Sequence, residues 1–106
     1  MQKEARFRKR CMEHLRTLPN SHWFRVEQTS IRGTPDCLGL IEGRFVAIEF
    51  KSSSKAKLTA LQQYHLGEVL NAGGIIAVVY PENWEAAYAE LRKVASVNDQ
   101  VETQSH

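Results

Sequence analysis

Cysteine, proline and long apolar runs are all scarce in this 106-residue chain. Its two cysteines, Cys11 and Cys37, are too few and too dispersed for a secreted disulfide framework, and neither stands in a C-x-x-C pair. Both are expected as reduced thiols in a cytoplasm-like compartment. No His/Cys set has zinc spacing, and His14, His22, His65 and His106 lack a companion nucleophile, so no histidine chemistry is assigned. No apolar run approaches the roughly 18 residues that span a bilayer. The segment MQKEARFRKRCMEHL also lacks the apolar stretch of a signal peptide. The expectation is therefore a cytoplasmic protein with no membrane partner and no organic cofactor. Its length suits one domain, taken as residues 1–95, with 96–106 as a flexible tail because periodicity stops there.

Charge is abundant but unevenly spread. Residues 1–57 carry 12 Lys/Arg against 6 Asp/Glu, whereas 58–106 carry 2 against 6. A basic first half favours a polyanionic partner on one side of the domain.

The hydrophobic pattern divides the chain into seven elements. Phe7, Cys11, Leu15 and Leu18 recur at helical spacing, predicting a helix over 3–18 closed by Pro19 and Asn20. Residues 23–28 alternate as a strand, and 37–41 and 45–50 are short apolar runs joined by Glu42-Gly43-Arg44, a hairpin signal. Thr59 is placed to cap a helix running to Asn71, stopped by Gly73-Gly74. The continuous apolar run 75–80 reads as a strand buried on both faces, and 81–94 as a second amphipathic helix. The order is αβββαβα. A helix between the third and fourth strands demands a crossover, so the fold class expected is α/β, a mixed β-sheet flanked by helices.

Three charges fall where the pattern does not expect them. Asp36 opens the second strand after Pro35, while Glu49 and Lys51 end the third strand inside FVAIEFK. With period two, Glu49 and Lys51 share one strand face, and the hairpin sets Asp36 beside them. Two neighbouring carboxylates stay ionised together when a cation lies between them, and oxygen donors suit Mg²⁺ or Mn²⁺. An adjacent lysine can orient a polarised water and stabilise charge on a phosphoryl oxygen. Together these groups suit metal-assisted hydrolysis of a phosphodiester. On the first helix Glu4 shares the stripe of Cys11 and Leu15, while Glu13 points away; Glu13 is the alternative upstream acid.

At these residues the sequence resembles a known family. Gly33-Thr34-Pro35-Asp36, then Glu49-Phe50-Lys51, Thr59-Ala60-Leu61-Gln62 and Gly73-Gly74 ahead of an apolar strand are similar in order and spacing to the PD-(D/E)XK nuclease superfamily, in its VRR-Nuc branch. The resemblance implies a restriction-endonuclease-like core and a divalent-metal-dependent DNA endonuclease. Asp36 and Glu49 would be metal ligands with the backbone carbonyl of Phe50, Lys51 the catalytic lysine, Gln62 the helix residue reaching the site, and Glu4 the acid of the N-terminal helix. The Thr-x-x-Gln spacing selects Gln62 over its neighbour Gln63. Standalone members resemble Holliday-junction resolvases, which implies branched DNA as substrate, a homodimer, and a prokaryotic or phage setting. The dimer interface would draw on Trp23, Phe24 or Trp84.

Arg6, Arg8, Lys9, Arg10, Arg32, Lys55 and Lys57 flank the site positions and are candidates for phosphate contacts. Two alternatives stand beside the junction nuclease: a restriction-like or flap endonuclease, and a non-catalytic DNA-binding module of the same fold.

Overall fold

A computed structural model describes residues 3–27 and 29–104, with side chains described through residue 95. The elements are α1 (Lys3–Leu15), β1 (Ser21–Arg25), β2 (Cys37–Ile41), β3 (Arg44–Phe50), α2 (Ala60–Asn71), β4 (Ile75–Val79) and α3 (Trp84–Gln104). They form one mixed sheet in the order β1-β2-β3-β4, antiparallel through β3 and parallel between β3 and β4. The expected αβββαβα α/β class is the one observed.

The alternation of the strands assigns the two sheet faces. Trp23, Cys37, Ile41, Val46, Ile48, Phe50 and Val79 point to one side and pack with Phe7, Cys11 and Leu15 of α1 and Trp84, Leu91 and Ala95 of α3. Phe7 meets Phe50 edge to face, with centroids 6.2 Å apart. Both thiols lie in this core, where burial pushes Cys11 and Cys37 up to about 12 and keeps them neutral. Gly39 stands opposite Trp23 in register, and a Cβ there would run into the indole ring and come within 2.6 Å of the His22 carbonyl oxygen. Among the described residues the other sheet face receives only α2, which buries Leu66. No helix among the described residues is long and apolar enough to cross a membrane.

Several boundaries differ from the sequence reading, each for a local reason. α1 ends at Leu15 because the chain tightens there: Thr17 N–H donates to the His14 carbonyl at 3.0 Å and Leu18 N–H to that of Leu15 at 3.1 Å. β1 starts two residues earlier and ends three earlier, set by its five-residue register against β2. α3 begins at Trp84 and not at Pro81. The Asn83 side chain accepts from Tyr80 N–H at 2.8 Å and donates to the Val78 carbonyl at 3.0 Å, and Asn83 N–H donates to the Tyr80 carbonyl at 3.0 Å, which holds 81–83 as a turn. α3 then continues as helix to Gln104, past the end of the amphipathic pattern, in a stretch with no glycine or proline to stop it. β4 is an edge strand, so Ile75 to Val78 are half-buried and only Val79 is fully enclosed; its unbroken apolar run does not mean burial on both faces.

The hairpin between β2 and β3 turns through Glu42 (φ 50°) and Gly43 (φ 79°), the left-handed pair of a type I′ turn. That two-residue turn fixes the register Cys37↔Ile48 and therefore which residues meet at the open end of the hairpin.

Candidate functional site

One residue beyond that register, Asp36 and Glu49 stand side by side. Asp36 N–H donates to Glu49 Oε1 at 3.1 Å, and Phe50 N–H donates to Asp36 Oδ2 at 2.9 Å. Each acid is thus held by the backbone of the other strand. Asp36 is delivered by the 29–35 segment, whose Gly33 (φ 80°) turns the chain against α2; a Cβ at Gly33 would lie 2.7 Å from the backbone of Leu61.

The first turn of α2 closes the cluster. Gln62 forms a capping box with Thr59: Gln62 N–H donates to Thr59 Oγ1 at 3.1 Å, and Thr59 N–H donates to Gln62 Oε1 at 2.9 Å. The same Oε1 accepts from Lys51 Nζ at 3.1 Å, while Gln62 Nε2 donates to Glu49 Oε2 at 2.6 Å. Two donors on one end and a carboxylate on the other fix the amide's orientation. Lys51 Nζ lies 3.8 Å from Glu49 Oε2, and the parallel ladder extends to Lys51 N–H, which meets the Val79 carbonyl at 2.8 Å.

Glu49 is the buried charge among the described residues, 3% exposed. Burial, then the Asp36 carboxylate, push its carboxyl up to about 7, against the opposing pull of Lys51 and of the Asp36 N–H; Glu4 pushes the same way as Asp36. Glu4 is therefore the α1 acid whose field reaches the cluster, from a half-buried position, while Glu13 is exposed.

The sequence-selected residues separate into those brought together and those kept apart. Asp36, Glu49, Lys51 and Gln62 are joined by hydrogen bonds, and Gln63 is exposed. Arg32 lines a depression with Gly33, Thr59 and Gln62, next to the cluster. Arg8 follows Glu4 by one turn, its Nη1 3.9 Å from Glu4 Oε2, and its buried Nε has no hydrogen-bond partner among the described residues. Lys55 and Lys57 are exposed on the loop from β3 to α2. Arg6 and Lys9 are exposed, and Arg10 lines a crevice with Glu82 and Glu85, so α1 does not turn Arg6, Arg8, Lys9 and Arg10 to a single side. Arg16 and Arg25, not singled out in the sequence, join Arg8 and Lys9 along a groove of about 460 Å³ between α1 and β1. Arg25 is paired there with Glu27 at 3.2 Å, which places Glu27 outside the acid cluster's hydrogen bonds. No family model and no curated protein matches the chain.

Among the described residues no three His, Cys, Asp or Glu side chains are grouped to hold a metal. The donor set at the cluster is instead two carboxylates beside a strand carbonyl. Its chemistry fits Mg²⁺ or Mn²⁺, which bind through one or two carboxylates and keep several waters. The geometry is in favour: Glu49 is buried beside the Asp36 carboxylate with one ammonium 3.8 Å away, and one lysine does not offset two adjoining acids in such a place, whereas a divalent cation would.

Proposed function

We propose that this chain is a Mg²⁺- or Mn²⁺-dependent endodeoxyribonuclease that hydrolyses phosphodiester bonds in branched DNA, Holliday junctions included, as a pair of copies. The reading is carried by one observation: Asp36, Glu49, Lys51 and Gln62 form a closed hydrogen-bonded set around a buried carboxylate. The order of those residues along the chain resembles the PD-(D/E)XK pattern, which supports the same reading.

When bound, the cation supplies Lewis acidity toward the phosphate and lowers the pKa of water. Asp36 and Glu49, with the Phe50 carbonyl, are the residues that would hold it. Lys51 supplies a positive charge beside Glu49, suited to orient an attacking water and offset charge on a phosphoryl oxygen. Gln62 keeps the Lys51 ammonium and the Glu49 carboxylate at fixed separation by binding both. Arg32, which lines the depression next to Gln62, offers a guanidinium group to the strand's phosphates, and Arg8, one turn from Glu4 on α1, is the second candidate.

The test is a panel of labelled four-way junction, flap, nicked and linear duplex DNAs with Mg²⁺ or Mn²⁺. Junction cutting that disappears in Asp36→Ala and Lys51→Ala, while both variants melt cooperatively, is expected. Cutting by Asp36→Ala at the parental rate would assign the activity elsewhere. Binding of DNA without cutting by the wild type would favour a non-catalytic module, and preference for flaps or linear duplex the other nuclease classes.

A further inference from the structure

We infer that two copies of this chain pair through the sheet face that α2 leaves bare. In register, His22 and Phe24 of β1, Leu38 and Leu40 of β2 and Phe45 of β3 lie on the side opposite α1 and α3. α2 sits against β4, and Ile31, Thr34 and Pro35 border the same face, which leaves Phe24, Leu40 and Phe45 exposed. Phe24 is 60% exposed, Leu40 46% and Phe45 42%, and Ile31 from the segment before β2 adds a side chain 58% exposed. Between this face and α2 runs a groove of about 510 Å³ whose walls include Ile31, Leu38, Phe45 and Val69. Trp23 and Trp84, the other aromatic candidates for an interface, are core residues at 4% and 9% exposure.

The size of the patch argues for a second copy. With an aromatic side chain offering roughly 150–250 Å², the four exposed side chains together present on the order of 400 Å² of apolar surface. A standard interface buries about 800 Å² on each partner, a little over half of it apolar. Four side chains therefore supply most of the apolar share, and the half-buried Leu38 and the groove wall extend it. Among the described residues that form this face and its groove the titratable ones are His22, His65 and Glu68, and the exposed side chains include two phenylalanines, which suits an apolar face more than a phosphate backbone. A two-fold axis through it lays one sheet face on the other, the packing that two sheets adopt at about 10 Å. Pro35 lines the same groove and Asp36 follows it, so the interface abuts the acid cluster.

This assignment rests on the two-copy reading above for its partner, and on the exposed face for its location. Analytical ultracentrifugation of the full chain at tens of micromolar tests it. The expected mass is twice the 12.1 kDa of one chain. Phe24→Asp and Phe45→Asp, both at positions exposed in the single copy, are expected to keep a cooperative melt and to weaken pairing by about 30-fold or more. Should one of them misfold, Leu40→Asp reads the same surface. Asp36→Ala should still pair. A monomeric wild type, or pairing unaltered in folded Phe24→Asp and Phe45→Asp, would overturn the assignment, as would occupation of the face only by a different protein. A chain that pairs but does not cut DNA removes the nuclease reading and leaves the surface standing; one that cuts as a monomer does the reverse.

Discussion

Replacing Glu49 by glutamine isolates the cost of the buried carboxylate. In the folded, metal-free protein burial and Asp36 raise its pKa from the ordinary 4.5 to about 7. Between those values the folded protein retains a proton that the unfolded chain has released. The contribution to stability is therefore fully present below pH 4.5 and is lost as the pH rises through 7. At about 1.4 kcal/mol per pKa unit the full swing is about 3 kcal/mol, or on the order of 15 °C in melting temperature for a domain of this size. Glu49→Gln removes the titration and sets the introduced amide against the Asp36 N–H or the Gln62 amide. It loses about 1 kcal/mol at low pH and levels the profile above it. Thermal melts in EDTA from pH 4.5 to 8 compare the two proteins, which share every other titrating group. Added Mg²⁺ should restore stability to the wild type near pH 8 and leave Glu49→Gln unmoved. Parallel pH profiles would refute the reasoning, because the slope would then belong to groups common to both.

Gly39→Ala drives a methyl group into the Trp23 indole and should cost about 1–3 kcal/mol in chemical denaturation. Gln62→Ala removes a capping box and the link between Lys51 and Glu49; a loss of about 1 kcal/mol in stability and a far larger loss of cleavage are expected, with Gln63→Ala neutral in both assays. Arg8→Ala should lower the salt slope of DNA binding by about one, measured by fluorescence anisotropy with Ca²⁺ in place of Mg²⁺, whereas Arg10→Ala, beside Glu82 and Glu85, should leave it unchanged.

The element order and the meeting of Asp36, Glu49 and Lys51 were legible because they depend on period and on a two-residue turn, both written locally. Strand alternation alone puts Glu49 and Lys51 on one side, and Glu42-Gly43 alone brings Asp36 to them. The choice of Gln62 was also local, since Thr59-x-x-Gln62 is a capping box. What was not legible depends on the neighbours of each element. Nothing in Ile75–Val79 reveals that β4 is an edge strand, and nothing in Trp23 or Phe24 says which is core until the register with Gly39 and Leu38 is known. Arg25 escaped notice because its nearness to Arg8 arises only when β1 docks beside α1.

The dual engagement of Gln62 couples two events. Its amide cannot leave Glu49 without also releasing the Thr59 N–H, so fraying of the first turn of α2 and detachment of Gln62 from the cluster are one motion. Amide-exchange protection at the N-terminus of α2 should accordingly report on how often the chemistry is assembled, even in protein that has never met its substrate.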